Sequence, residues 1–230
     1  MTAPPCATQA KLRLFACAPG GLLLESERMP GSILYIHGFN SSPLSKKATQ
    51  LSALMDALGL AGQLRVPALH HHPREAMAQL EVAIAELGRP LLVGSSLGGY
   101  YATHLAERHG LKALLINPAV GPHRLFDGYL GPQQNLYSGE QWALTHDHVT
   151  ALAELEVPPP QDPQRFQVWL QTADETLDYR VAAQYYRACA LRIEAGGDHG
   201  FQGFAEHLPA LLSFAGIGVD LYQAIDFSAL

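Results

Sequence analysis

The residues best suited to chemistry lie where an apolar run meets a cluster of small residues. Residues 91–99 read LLVGSSLGG, which contains the pattern Gly-x-Ser-x-Gly. The spacing selects Ser96, because only this serine has a glycine two residues away on each side, at Gly94 and Gly98. Small flanking residues permit a tight turn with a serine at its apex, at the amino end of a helix whose dipole favours a developing anion. We therefore predict a nucleophile elbow with Ser96 as the nucleophile.

A serine hydroxyl needs a base, because it is a weak nucleophile at neutral pH. Among the eleven histidines, His199 lies in the segment EAGGDHG at residues 194–200, just after the last predicted strand. Functional residues of open parallel sheets lie at the carboxyl ends of strands. The glycines of this loop would allow it to bend back toward the elbow. We predict His199 as the base; the alternative is a histidine in a loop or at a helix cap.

The base needs an acid that orients the imidazole and stabilises its protonated form. Asp174 follows the fifth predicted strand and is the preferred candidate. The alternative is a solvated carboxylate that caps a helix. Three other carboxylates compete for the role: Glu175, Asp178 and Asp198. With Asp174, the chain order is nucleophile, acid, base, as in α/β-hydrolases.

The anion formed during acyl transfer needs two hydrogen-bond donors, which contribute on the order of 3 kcal/mol each. One is expected from the backbone N–H of Leu97, the residue after the nucleophile. The other is expected after the first core strand, where Gly38 would let the Phe39 N–H face the pocket. His37, in the same segment, is interpreted as a structural histidine.

Two further histidine clusters could be read as metal ligands. Residues 70–72 are three consecutive histidines, and residues 146–148 read HDH. Adjacent residues in extended chain point in opposite directions, so they rarely converge on one ion. We therefore interpret both clusters as exposed segments, the first at the pocket rim, and predict neither a metal nor another cofactor.

The secondary structure that would position these residues can be predicted from the sequence pattern. Apolar runs alternate with helical patterns, which predicts a parallel sheet with crossover helices. The predicted strands span residues 33–39, 63–69, 90–95, 112–117, 166–172 and 191–195. The predicted helices span residues 44–58, 73–87, 97–109, 179–188 and 202–214. Pro43 is expected in the first turn of the first helix, with Ser41 or Ser42 as its cap. Together with the serine elbow and the chain order of its expected partners, this pattern predicts an α/β-hydrolase fold.

Two segments interrupt the alternation of strands and helices. Residues 121–160 form an insert between the fourth and fifth core strands, with a possible helix at residues 142–155. The insert would cover the site, or else be a surface excursion without a role. Three residues are candidates for the substrate pocket: Asn40, Tyr137 and Trp142. Residues 11–28 resemble a hairpin within an amino-terminal extension over residues 1–30, and residues 1–230 are expected to form a single domain.

The composition narrows the class of protein. The 230 residues are 48% hydrophobic and 16% charged, with a formal net charge of −6. Lys and Arg are few and scattered, so no nucleic-acid partner is expected. The cysteines are widely spaced and odd in number: Cys6, Cys17 and Cys189. Without a secretory signal or a membrane-spanning run, we expect a cytoplasmic protein.

Three sequence blocks together look like the YqiA-like esterase family of small bacterial α/β-hydrolases. They are ILYIHGFNSSP at residues 33–43, GSSLGG at residues 94–99 and GDHGFQGF at residues 197–204. The segment NLYSG at residues 135–139 is also similar, and the resemblance extends over about residues 31–214. It implies the same three catalytic residues and the same two oxyanion donors, and it adds little about substrate beyond ester or thioester hydrolysis.

The sequence thus predicts a serine hydrolase that cleaves carboxylic esters or thioesters through an acyl-enzyme intermediate. Its expected partner is a small acyl substrate. Two alternatives remain open at this point: an acyltransferase that uses the same residues, and a catalytically idle hydrolase-fold protein that binds a ligand. The oligomeric state is not predicted.

Overall fold

The computed structural model describes residues 31–227. The predicted hairpin at residues 11–28 lies outside the described residues. Within residues 31–227, no helix is both long enough and apolar enough to cross a membrane.

Six of the strands form one parallel sheet. The strands in chain order are β1 (Ile33–Ile36), β2 (Leu64–Arg65), β3 (Leu91–Ser95), β4 (Ala113–Ile116), β5 (Gly131–Gln134), β6 (Gln141–Leu144), β7 (Phe166–Gln171) and β8 (Ala190–Glu194). The order across the sheet is β2-β1-β3-β4-β7-β8, and all its pairs are parallel. Every residue of β1, β3 and β4 is buried, as expected for strands covered on both faces.

Helices cover both faces of this sheet. They are α1 (Lys46–Ala57), α2 (Pro73–Leu87), α3 (Leu97–His109), α4 (His123–Phe126), α5 (His146–Glu154), α6 (Tyr179–Tyr185) and α7 (Phe204–Ala215). Successive strand residues point to opposite faces, so Leu34 packs with α2 and α3, whereas Tyr35 packs with α1 and α7. These two hydrophobic cores hold the sheet between two helical layers and confirm the predicted fold class.

The insert between β4 and β7 differs from its predicted secondary structure. The prediction of one helix over residues 142–155 is wrong at its start, because Trp142 lies in β6 and pairs with Gln133 of β5 in an antiparallel hairpin. The helix begins only at His146, where the Thr145 and His148 side chains form a reciprocal cap. Periodicity alone does not reveal the cap that separates strand from helix.

Two other boundaries also need correction. The second strand is only two residues long, because β2 is an edge strand that pairs solely with Ile33 and Leu34 of β1. Helix α1 begins at Lys46 with Ser45 at its cap position, so Pro43 precedes the helix. The Ser42 hydroxyl accepts a hydrogen bond from the Leu44 N–H, which builds a local turn before the helix.

Candidate active site

Ser96 lies on a sharp turn between the buried strand β3 and helix α3. Its backbone has φ 55° and ψ −122°, a conformation that non-glycine residues rarely adopt. Such a residue costs on the order of 1–3 kcal/mol and persists only where its surroundings enforce it. The turn places the Ser96 side chain at the amino end of α3, on the wall of an open cavity.

The two flanking glycines are required by close backbone contacts. A Cβ on Gly94 would lie 2.4 Å from the Gly98 carbonyl oxygen. A Cβ on Gly98 would lie 2.0 Å from the carbonyl oxygen of Ile36 in the neighbouring strand. The elbow therefore packs against β1 at a distance that only glycine permits.

Gly98→Ala is expected to lower the melting temperature, because its new methyl group would meet backbone that cannot rotate away. Overpacking of this kind costs about 1–3 kcal/mol or more. Thermal unfolding followed by circular dichroism measures the effect. Gly62→Ala is the matched control, since a Cβ at Gly62 meets nothing within 4 Å. Equal melting temperatures for the two variants would contradict the prediction.

The structure brings His199 and Asp174 to Ser96. His199 Nε2 lies 3.0 Å from Ser96 Oγ, and His199 Nδ1 lies 3.0 and 2.9 Å from the two carboxylate oxygens of Asp174. These three side chains lie on the turn or loops that follow β3, β7 and β8, and they form one continuous chain of hydrogen bonds. The parallel sheet places all three strand ends at one edge, as the sequence predicted.

The Asp174 carboxylate is buried, with 2% of its side chain exposed. It accepts hydrogen bonds from the N–H groups of Thr176 and Leu177, at 2.9 and 2.8 Å. Burial acts to raise the pKa of Asp174, but the hydrogen bonds from His199, Leu177 and Thr176 outweigh it and hold the pKa below its usual value. The carboxylate is therefore ionised at neutral pH, ready to hold the imidazole.

The three rival carboxylates have other contacts. Glu175 Oε2 accepts a hydrogen bond from the backbone N–H of His199 at 3.0 Å, so it holds the loop rather than the imidazole. Asp178 caps α6 and pairs with Arg180. Asp198 accepts a hydrogen bond from the Gln202 side chain. Among the described carboxylates, only Asp174 contacts the His199 ring.

Two buried amide side chains hold the His199 loop, and the sequence reading did not identify them. Asn117, just after β4, donates from Nδ2 to the carbonyl oxygens of Asp198 and His199, at 3.0 and 3.2 Å. Gln171, at the end of β7, accepts from the N–H groups of Asp198 and Gln202 at Oε1. The available sequence signal was a polar residue at the end of an apolar run, because a polar group in that position tends to be buried and must then find hydrogen-bond partners.

The expected anion donors lie beside the serine. A Cβ on Gly38 would lie 3.6 Å from Ser96 Oγ, so the peptide leading to Phe39 runs directly beside the Ser96 side chain. No acceptor for the Phe39 N–H or the Leu97 N–H is found among residues 31–227. His37 is buried, and its Nε2 accepts a hydrogen bond from the Leu69 N–H, which agrees with a structural role.

The cavity beside Ser96 has a volume of about 470 Å³ and includes two of the three predicted pocket residues, Asn40 and Tyr137. Trp142 lines a second, smaller cavity, which Phe39, Asn40 and Leu97 also line. Its indole N–H donates to Asn40 Oδ1 at 3.0 Å, while Asn40 Nδ2 donates to Gln133. Both ends of the Asn40 side chain thus anchor the β5–β6 hairpin beside the cavity.

The two histidine clusters pack against each other, although the sequence suggested separate exposed segments. The His71 ring stacks on Trp142 with a centroid distance of 4.5 Å, and its Nδ1 lies 3.2 Å from His148 Nε2. His148 is buried, and burial together with the neighbouring histidines lowers its pKa to about 4. His72 pairs with Asp147 at 2.8 Å. Within residues 31–227, no group of three or more His, Cys, Asp or Glu residues is arranged to hold a metal ion.

The parallel sheet, the helices on both its faces and the serine elbow after β3 define an α/β-hydrolase fold. Among solved structures, the α/β hydrolase domain-containing protein 10 from mouse matches with a TM-score of 0.60 and 15% identity, over 80% of this chain and 90% of that chain. Est1E from Butyrivibrio proteoclasticus matches with a TM-score of 0.57 and 12% identity, over 86% and 91% of the two chains. At such identities the similarity concerns the fold alone.

The chain belongs to the family described as "Uncharacterised protein family (UPF0227)", which matches residues 32–216. A UPF0227 protein of Shewanella sp. (strain ANA-3) is 27% identical over 194 residues, which cover 79% of this chain and 98% of that protein. The family match confirms the resemblance to YqiA-like proteins noted from the sequence blocks. The matched segment includes Ser96, Asp174 and His199.

Proposed function

We propose that this protein is a serine hydrolase that cleaves carboxylic esters or thioesters through an acyl-enzyme intermediate. The observation that carries the proposal is the hydrogen-bonded chain from Ser96 Oγ through the His199 imidazole to the buried Asp174 carboxylate. A strained elbow that presents a serine to a histidine and an ionised acid has the parts that nucleophilic acyl transfer requires.

In the first half-reaction, Ser96 Oγ forms a bond to the acyl carbon while His199 Nε2 takes the hydroxyl proton. The carbonyl electron pair moves to oxygen, where the Phe39 and Leu97 N–H groups stabilise the anion. When the pair returns, the bond to the leaving oxygen or sulfur breaks, and His199 gives that atom its proton. Asp174 stays ionised and stabilises the imidazolium throughout.

In the second half-reaction, water takes the place of the departed alcohol or thiol. His199 removes a proton from the water while the water oxygen bonds to the acyl carbon, and the bond between Ser96 Oγ and the acyl carbon then breaks. The carboxylic acid leaves, and Ser96 Oγ recovers its proton from His199. Both half-reactions are complete with the substrate, water, the three side chains and the two backbone N–H groups.

A burst experiment tests this proposal. Purified protein is mixed rapidly with 4-nitrophenyl esters and with acyl thioesters of increasing chain length. We expect a burst of released nitrophenol that approaches one equivalent per protein when deacylation is the slower step, because acylation precedes hydrolysis. Intact-protein mass spectrometry should detect the acyl adduct. Turnover without any adduct under these conditions, or no turnover across the whole panel, would contradict the proposal.

A further inference from the structure

Lys47 lines the same cavity as Ser96 and His199, although it belongs to a different part of the fold. It is the second residue of α1, and the amino end of this helix faces the cavity. The proposed reaction gives Lys47 no part, because acyl transfer is complete with the residues already described. A half-buried cation on the wall of an active-site cavity is therefore left without an assigned role.

The Lys47 ammonium has one hydrogen bond among the described residues, to the Gly200 carbonyl oxygen at 2.6 Å. An ammonium has three donors, so this contact leaves two available toward the cavity. No salt bridge to Lys47 is found within residues 31–227. Burial lowers the pKa of Lys47 to about 8, against the opposing fields of Asp198 and Asp174. A cation that is partly removed from water and paired only with a neutral carbonyl oxygen is incompletely compensated.

The two acids whose charges act on Lys47 form no salt bridge with it among the described residues. Asp174 is held by His199 and by two backbone N–H groups. Asp198 also lines the cavity; its Oδ2 accepts a hydrogen bond from the Gln202 side chain, and its buried Oδ1 has no hydrogen-bond partner within residues 31–227. The charges of both acids act to raise the pKa of Lys47, but burial outweighs them. An anion that enters the cavity would supply the direct partner that these acids do not, and the positive end of the α1 dipole would add to the attraction.

We propose that Lys47 binds an anionic group of the substrate, so that this site prefers esters with a carboxylate or phosphate on the acyl or the leaving part. This inference rests on the proposed ester hydrolysis. The Lys47 ammonium and the anion form a charge-assisted hydrogen bond inside the cavity. The apolar remainder of the substrate contacts Phe39 and Tyr137 on the same wall.

Matched pairs of esters test the proposal on each side of the scissile bond. For the acyl side, 4-nitrophenyl hemiglutarate is compared with its methyl ester. For the leaving group, 5-acetoxy-2-nitrobenzoate is compared with its methyl ester. For at least one pair, we expect the wild-type kcat/KM for the anionic ester to exceed that for the neutral ester about tenfold or more. We expect Lys47→Met to remove this preference, with little change in kcat/KM for the neutral ester. Lys112→Met, at an exposed lysine that lies over the Phe214 ring, is the matched control.

The possible results separate binding from a structural role. An equal loss for anionic and neutral esters in Lys47→Met would show that Lys47 only holds the Gly200 loop, and it would overturn the inference. An unchanged preference in Lys47→Met, or a wild type that favours neutral esters in both pairs, would also overturn it. Lys47→Arg should recover part of the preference, because it restores the charge.

A binding measurement makes this test independent of turnover. Glutarate and dimethyl glutarate are titrated into the Ser96→Ala variant, with and without Lys47→Met. We expect glutarate alone to raise the melting temperature, and only while Lys47 is present. If the esters are not hydrolysed at all, the proposed function fails. The thermal shift still decides whether Lys47 binds an anion, and no difference between the two variants would overturn that.

Discussion

Ser96→Ala is expected to lower kcat/KM for 4-nitrophenyl esters by about 10⁴-fold or more, because the variant cannot form the acyl-enzyme. The substitution removes only the hydroxyl group. Alanine retains the Cβ, so the strained φ of 55° costs the same in both proteins and the fold should be unaffected. Hydrolysis of a nitrophenyl ester at matched protein concentration measures the loss, and thermal unfolding checks the fold.

A fluorophosphonate probe gives a second readout, because it reacts only with an activated serine. We expect one covalent adduct on the peptide that contains Ser96, and none in Ser96→Ala. Ser95→Ala is the matched control, since Ser95 is the adjacent serine but lies at the buried end of β3. Labelling that persists in Ser96→Ala, or that disappears in Ser95→Ala alone, would show that the nucleophile is assigned wrongly.

Asp174→Asn is expected to lower kcat by about 10⁴-fold at neutral pH, with an intact overall fold. The carboxylate accepts a hydrogen bond from His199 Nδ1, which leaves Nε2 free to accept the proton from Ser96. An amide can instead donate to Nδ1, and this stabilises the tautomer in which Nε2 already carries a proton. A histidine in that tautomer cannot act as the base.

Two control variants complete this test. Asp178→Asn changes a carboxylate that caps α6, and it should have little effect on kcat. Glu175→Gln should have a smaller effect than Asp174→Asn, because Glu175 contacts only the backbone of His199. A loss in Glu175→Gln that equals the loss in Asp174→Asn would contradict our assignment of the acid.

The lowered pKa of Asp174 also predicts how its contribution to stability varies with pH. The ionised carboxylate stabilises the folded protein above its unfolded-state pKa of about 3.9, and this contribution is lost as the pH falls through the lower folded-state value. Asp174→Asn should therefore have a lower free energy of unfolding than wild type at neutral pH, and the difference should narrow in acid.

The features that sequence reasoning anticipated depend on short-range geometry. The parallel strands follow from short buried runs, and the elbow follows from two glycines at a spacing that only a tight turn explains. His199 and Asp174 were predicted to lie near Ser96 because each follows a parallel strand, and parallel strands end at a common edge. That argument places residues at the edge, but it left four carboxylates open as partners of the imidazole.

The features that sequence reasoning missed arise from contacts between distant segments. Trp142 was predicted in a helix, but hairpin pairing places it in β6, where the Asn40 side chain holds its indole ring. The histidines at residues 70–72 and 146–148 were treated separately, because nothing local indicates that the insert folds onto the amino end of α2.

The sequence by itself determined the α/β-hydrolase fold, the elbow that carries Ser96 and the strand ends near which Asp174 and His199 lie, because these follow from local backbone requirements and hydrophobic periodicity. Only the tertiary structure decided which carboxylate contacts His199, since a difference of one residue in a loop reverses the direction of a side chain. It also brought Lys47 from the start of α1 to the wall of the Ser96 cavity. Such long-range contacts depend on how helices pack across the sheet, which no local pattern encodes.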